Sequence, residues 1–230
     1  MVSFVFISDK NRERYLRTIG PLGKFFARVG IHPNALSLFG FILSIVAGIV
    51  YSMGAFFWAA WVVVIAGTFD TLDGVVARAT RKNSPFGAFF DSTLDRYSDM
   101  FLFLGLAYHF SGGDALLHVP GARVNSDPMP TVVIIIILAI VGSYMVSYTR
   151  ARAEGLGIEC KKGLMQRPER ITLLIIGSLL GSIPKIGTLL MVVTLIVLAV
   201  SSNLTALYRI FLVRNQLLTG CWPKHNNDGG

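Results

Sequence analysis

Apolar residues in this chain run in six long blocks, about Ala35–Ser52, Ala55–Ala79, Phe86–Phe110, Thr131–Thr149, Ile171–Ile183 and Ile186–Val213, parted by short polar turns. A helix crossing a hydrocarbon core of ~30 Å needs about 20 mostly apolar residues. The blocks reach that length or nearly so; the fifth is short and must draw residues from both flanks. Ahead of them, Tyr15, Leu16, Ile19, Leu22, Phe25, Phe26 and Val29 recur at helical intervals among basic residues. That pattern suits a helix lying in a membrane interface, bent at Gly20-Pro21, in preference to a soluble arm packed on the protein. The expected fold is therefore an all-α integral membrane protein with six transmembrane helices and an N-terminal interfacial amphipathic helix. It divides into an interfacial segment over 1–32, a membrane domain over 33–214 and a flexible tail over 215–230.

Composition agrees. Hydrophobic residues make up 53% of the chain and charged ones 15%, against about 25% charged in a soluble domain, so no separate soluble domain is expected. The net charge of +8 is confined to a few places. Six Lys/Arg lie in residues 1–30, three in Arg78–Lys82, six in Arg150–Arg170, and three at Arg209, Arg214 and Lys224. Arg96 falls inside a block, and the other loops hold only Arg123 and Lys185. By the positive-inside rule the basic loops are cytoplasmic. Six spans put both termini on that side too, so charge and span count agree on a multi-pass protein of the plasma membrane. The basic surplus is assigned to topology, and no nucleic-acid partner is expected. The start, "MVSFVFISDK", lacks the basic and long apolar regions of a cleavable signal peptide. Cys160 and Cys221 are too few and too scattered for a disulfide framework or a thiolate metal site.

One stretch breaks the apolar pattern. "FDTLDGVVARATRKNSPFGAFFDSTLDRYSDM", Phe69 to Met100, carries five aspartates in two patches. Each carboxylate at mid-membrane costs about 2.5–3.5 kcal/mol on insertion scales, so something must compensate. At about 100° per residue, Asp70 and Asp73 share a stripe on one helix, and Gly87, Asp91 and Asp95 share one on the next. Two antiparallel helices joined by a basic turn can thus bring four carboxylates together near the cytoplasmic surface. Four such anions do not stay charged without cations. Oxygen ligands with no His or Cys nearby suit Mg²⁺ or Mn²⁺. A cation-coupled transporter also holds carboxylates in a bundle. Gly74, Ala77 and Gly87 separate the two ideas, because they remove bulk beside the acids and let a ligand approach the backbone. With Arg78 adjacent, that ligand is expected to be an anion.

The spacing Asp70-x2-Asp73-Gly74-x2-Ala77-Arg78-x8-Gly87-x3-Asp91-x3-Asp95 resembles, position for position, the signature of the CDP-alcohol phosphotransferase family. The resemblance implies an integral membrane enzyme that cleaves the pyrophosphate of a CDP-linked lipid, CDP-diacylglycerol or CDP-archaeol. The lipid-phosphate group passes to an acceptor hydroxyl, and CMP leaves. By the same resemblance Asp70, Asp73, Asp91 and Asp95 hold two divalent cations, and Asp95 is the general base. Asp70, Asp73, Gly74, Ala77, Arg78 and Gly87 form the nucleotide site, with Arg78 on its phosphate. Members commonly form homodimers. Direct displacement and a covalent lipid–enzyme intermediate are both open; the motif's lack of a Ser/His or Cys/His pairing makes displacement simpler.

The acceptor is a separate question. Arg150 and Arg152 ride the end of one predicted helix and "RPER", with Arg167 and Arg170, opens the next. Topological bias explains some of this charge, but the crowding also suits a phosphorylated alcohol, since Arg binds phosphate in a fixed fork. "RARAEGLG…G…RPER" resembles the subgroup that makes phosphatidylinositol phosphate or archaetidylinositol phosphate. That implies inositol phosphate as acceptor, with Arg150, Arg167, Arg170 and Arg209 as candidate phosphate ligands. Phosphatidylglycerophosphate synthases, which use glycerol 3-phosphate, share the main motif and are the alternative. Asp99 is expected to support neighbouring side chains or pair helices, and the sequon at Asn203 lies in a predicted span, where no role is expected for it.

Overall fold

The structure, a computed structural model, describes residues 9–80, 84–113, 127–158, 160, 163 and 165–218. Seven helices are seen among them: α1 (Asp9–Val29), α2 (Pro33–Ser52), α3 (Phe56–Thr80), α4 (Pro85–Phe110), α5 (Pro130–Glu154), α6 (Arg167–Gly181) and α7 (Gly187–Leu218). Proline opens α2, α4, α5 and α6 at their first or second position, where its missing N–H has no helical partner to lose. Ser84 caps α4 by accepting from the Gly87 amide at 2.9 Å. Between α2 and α3 the chain reverses through Gly54, whose φ of 70° favours glycine.

α2, α3, α5 and α7 are long and apolar enough to cross a membrane. α4 has the length, at 26 residues, but carries Asp91, Asp95, Arg96 and Asp99. α6 is short, at 15 residues. So four of the six expected spans meet the length-and-composition standard. α7 continues to Leu218, so the first four residues assigned to the flexible tail are helical; residues 219–230, Cys221 and Lys224 included, lie outside the described residues. So do Arg123, Lys161, Lys162 and most of the basic turn between α3 and α4.

The outward faces are apolar: Phe39, Ile42 and Val46 on α2, Trp58 and Trp61 on α3, Ile134 and Ile137 on α5, Leu189 and Val200 on α7 are all exposed. The core between the helices is formed by Tyr51, Phe56, Phe103, Leu106, Phe110, Ile136, Leu174, Met191, Leu195 and Leu198. α2 is the central strut. It packs along both α3 and α4, which meet each other where Phe56 packs against His109 and Phe110. Its inner face, Ser37, Gly40, Ser44, Ala47 and Gly48, is made of small buried residues, which let helices approach closely. A Cβ on Gly40 would meet the Ala66 carbonyl of α3 at 3.2 Å, and one on Gly105 of α4 would run into the Gly48 backbone.

α1 is one helix through Gly20-Pro21. Ile19 is buried with Leu36, Leu72 and Val76, and Phe26 packs against that cluster. A Cβ on Gly23 would lie 2.6 Å from Val75 Cγ1, so α1 rests closely on α3 there. Beside that contact, Leu22, Phe25 and Val29 remain exposed. α1 thus combines features of both alternatives: one face packs on the protein and a second apolar stripe does not.

Candidate functional site

Asp70 and Asp73 stand about three and two turns before the end of α3, and Asp91 and Asp95 stand in the second and third turns of α4. α2 packs along both helices, and the acids of α3 and α4 converge in the lining of a cavity of about 870 Å³. Ser37, Gly40, Asp70, Asp73, Gly74, Arg78, Asp91, Asp95 and, from α6, Arg167 are among its lining residues. Carboxylate oxygens of Asp70, Asp91 and Asp95 all come within 4.8 Å of one another. Asp73 is more deeply buried and accepts a hydrogen bond from the Ser37 hydroxyl.

α6 closes the cavity. Arg167 Nη1 donates to Asp70 Oδ1 and Oδ2 at 3.0 and 2.9 Å and lies 2.9 Å from Asp95 Oδ1. One guanidinium thus ties the α3 acids to the α4 acids through α6. One turn further along α4, Asp99 is buried and accepts from Arg170 Nη2 at 3.0 Å and from Ser143 Oγ of α5 at 2.9 Å. Arg167 Nε lies 3.7 Å from Asp99 Oδ1. Asp99 therefore joins α4, α5 and α6, the helix-pairing role expected for it.

The remaining residues singled out by the sequence are placed as follows. Arg78 lines the cavity with its guanidinium over Gly74: a Cβ on Gly74 would lie 3.3 Å from Arg78 Nη1. The bare Cα of Gly74 thus accommodates Arg78 itself. Ala77 and Gly87 are half-buried and outside the cavity lining; Gly87 receives the Ser84 cap at the start of α4. Arg150 is exposed and pairs with Glu154 at 2.8 Å. Arg209 is buried, donates to the Val146 carbonyl of α5, and lies within electrostatic reach of Arg150 and Arg170. Arg167 alone of the four acceptor candidates lines the cavity directly.

Sequence reasoning missed Ser37. Its signal was the run of Ser and Gly at three- and four-residue steps along α2, which marks a close-packed face but names no partner. It also assigned no role to Asn203, whose Nδ2 donates to Leu138 O at 2.9 Å and Ala199 O at 2.8 Å, joining α7 to α5.

The donor set fits a divalent metal. It is all oxygen, drawn from facing helices, and among the described residues Asp70, Asp91 and Asp95 form the group able to converge on one ion.

A family model described as CDP-alcohol phosphatidyltransferase matches residues 30–221. The chain is 33% identical over 213 residues to an archaetidylinositol phosphate synthase of Pyrococcus horikoshii, covering 92% of this chain and 99% of that one. Its fold is similar to the crystal structure of Mycobacterium tuberculosis phosphatidylinositol phosphate synthase with CDP-DAG bound. The TM-score is 0.73 at 30% identity, over 86% of this chain and 94% of that one. The same enzyme in complex with manganese and citrate matches with a TM-score of 0.73 at 28% identity, over 91% and 92%.

Proposed function

The chain belongs to the CDP-alcohol phosphatidyltransferase family, and from that premise we propose that it transfers the lipid-phosphate group of a CDP-linked lipid to a hydroxyl of inositol phosphate, releasing CMP. The observation that carries this reading is the cavity in which four carboxylates from two helices face one another, with Arg78 on one wall and Arg167 on another. The donor is CDP-diacylglycerol or CDP-archaeol, in keeping with relatives named for both lipid classes and with one solved with CDP-DAG.

Asp70, Asp73, Asp91 and Asp95 hold two Mg²⁺ or Mn²⁺ ions; when bound, such ions neutralise the pyrophosphate and the departing CMP. Ser37 fixes the Asp73 carboxylate through its hydroxyl. Asp95 takes the proton of the attacking hydroxyl, so an O–P bond forms on the lipid-side phosphorus as the bond to CMP breaks. Direct displacement suffices, and among the described residues lining the cavity there is neither histidine nor cysteine to suggest a covalent relay. Arg78 meets the nucleotide phosphate, and the bare Cα of Gly74 leaves room for its guanidinium on that wall. Arg167 and Arg170 supply positive charge for the acceptor's phosphate, and Arg150 and Arg209 are the further candidates for it.

The protein is a membrane protein. Our reading adds six spans, α2 to α7, over a membrane domain beginning at 33, an interfacial 1–32 segment and a tail after Leu218. It also adds a cytoplasmic active site at the plasma membrane and a homodimeric assembly. The exposed Leu22, Phe25 and Val29 stripe among Lys24 and Arg28 supports the interfacial role of α1. The basic residues near the site support its orientation. A cysteine replacing Arg152 is then labelled only from the cytoplasm and one replacing Lys185 only from outside.

The deciding experiment offers purified protein radiolabelled CDP-lipid and single alcohols, with CMP release measured. Inositol phosphate supports turnover, EDTA abolishes it, and free inositol is poor. Faster turnover with glycerol 3-phosphate overturns the acceptor. Ion flux without CMP release under any acceptor overturns the transferase.

A further inference from the structure

Glu169 is the third residue of α6, and the established chemistry of the site leaves it without a task. It is 7% exposed, and its Oε2 has no hydrogen-bond partner. Among the described residues it stands outside the carboxylate group able to share a metal ion. Yet it lines the same cavity, on the same turn as Gln166 and Arg167. Its position in the first turn explains why a carboxylate is tolerated there, since the helix N-terminus favours negative charge. It does not explain a buried oxygen with nothing to accept from, because such a group is costly unless a partner arrives. Arg167 Nε, on the same turn, makes no hydrogen bond and is ion-paired with Asp99 Oδ1 at 3.7 Å.

One turn of α6 therefore lines the cavity with a guanidinium donor and with a carboxylate that has an unfilled acceptor oxygen. The donor is cationic and suits a phosphate. The acceptor is anionic, repels a phosphate, and suits hydroxyl groups, which donate to carboxylates in short, strong bonds. We infer that Glu169 is a positioning residue for the acceptor substrate, taking hydrogen bonds from hydroxyls of a phosphorylated polyol while the neighbouring arginine holds its phosphate. This rests on the acceptor reading above. It makes Glu169 the side chain that selects a ring rich in hydroxyls, and so presents the attacking oxygen to Asp95.

The test uses the full-length enzyme in nanodiscs with saturating Mn²⁺, comparing wild type, Glu169→Gln and Glu169→Ala. Acceptor and CDP-lipid are varied separately, and inositol phosphate is set against its single-deoxy analogues. Glu169→Ala should raise the KM for inositol phosphate at least tenfold. The KM for CDP-lipid and the Mn²⁺ affinity should stay within twofold. Glu169→Gln, which keeps an acceptor oxygen, should fall between. At least one deoxy analogue should be a poor substrate for the wild type, and that handicap should disappear in Glu169→Ala; a purely structural role would penalise all analogues alike. If Glu169→Ala does not fold, the isosteric Glu169→Gln carries the test through the same analogue dependence. Unchanged acceptor KM, or identical analogue handicaps in variant and wild type, overturns the assignment alone. A wild-type enzyme inert toward inositol phosphate overturns the acceptor reading and the assignment together.

Discussion

The two ends of the bundle solve opposite problems with the same helix. Toward the end of α2 at Gly48 and Tyr51, α4 backbone lies directly on α2 backbone, and Phe56, His109 and Phe110 bring the start of α3 against the end of α4, ring to ring. Toward the Ser37 end, α2 still touches α3 at Gly40, but α3 and α4 meet there through charged side chains lining the cavity instead of apolar contact. At that end Arg167 and Arg170 are the cross-links. The cavity in one half is therefore framed by packing in the other. The helices can be held open around four acids because they are clamped shut a few turns away.

The largest expected effect breaks the open end alone. Asp91→Asn removes charge from the metal group without touching the clamp. Turnover should fall at least about 1000-fold, equivalent to about 4 kcal/mol, while the melting temperature stays within a few degrees. Its counterpart, Leu106→Ala, opens a cavity in the closed half at a fully buried residue. It should cost about 2–5 kcal/mol of stability and leave kcat per folded molecule nearly unchanged. Loss of turnover through Leu106→Ala in the folded fraction would show that the halves are not separable.

A second substitution should damage both. Asp99→Ala leaves Arg170, itself buried, without its carboxylate. Breaking such a pair by removing one partner costs about 3–5 kcal/mol. Because Asp99 also holds α5 through Ser143, activity should fall together with thermal stability. A melting curve like the wild type's would mean that the α4–α5–α6 junction is not held by this residue.

The difference between the halves also explains what the sequence revealed. The acids were legible because a helix fixes the stripe on which residues three or four apart must lie, and because carboxylates in apolar sequence demand a cation. Ser37 and Asn203 were not, since a small polar residue in a span fits many neighbours and only the fold supplies Asp73 or Leu138 as partner. Helical spacing also placed Asp70 and Asp73 opposite Asp91 and Asp95, and the fold brings Asp70, Asp91 and Asp95 together, but that α2 packs along both helices was not legible. For the basic residues, charge counts determine a side of the membrane but not a contact. Arg150, on an exposed helix end, and Arg167, among the aspartates, read alike until the fold separated them.

The clamp itself can be loosened at one atom. Gly105→Val places methyl groups where the Gly48 backbone lies, and overpacking of this kind costs about 1–3 kcal/mol. If closure at this crossing sets the opening at the other end, the variant that still folds should show weakened Mn²⁺ binding, measured by titration, although residue 105 stands well beyond the metal group. Unaltered metal affinity in a destabilised Gly105→Val would mean that the cavity is held open by its own charges and not by the distant contact.

The smallest effects make the sharpest comparison, because in each half a buried hydroxyl joins α2 to a neighbouring helix. Ser37 Oγ donates to Asp73 across α2 and α3; Tyr51 Oη lies 2.6 Å from Ser178 Oγ across α2 and α6. Removing one such hydrogen bond costs about 0.5–1.5 kcal/mol, or roughly a few-fold to tenfold in an equilibrium constant. In Tyr51→Phe the loss should appear as a lowered melting temperature with metal affinity unchanged. Ser178 keeps its bond to the Leu174 carbonyl at 2.7 Å, so no polar group is left stranded. In Ser37→Ala the same loss falls on a carboxylate that the metal can re-engage. Melting should hardly move with metal bound, while Mn²⁺ affinity should change several-fold, because the Asp73 side chain is no longer fixed. If both substitutions lower melting equally and neither alters Mn²⁺ binding, Ser37 is a packing residue like Tyr51, and the open end is organised by its arginines alone.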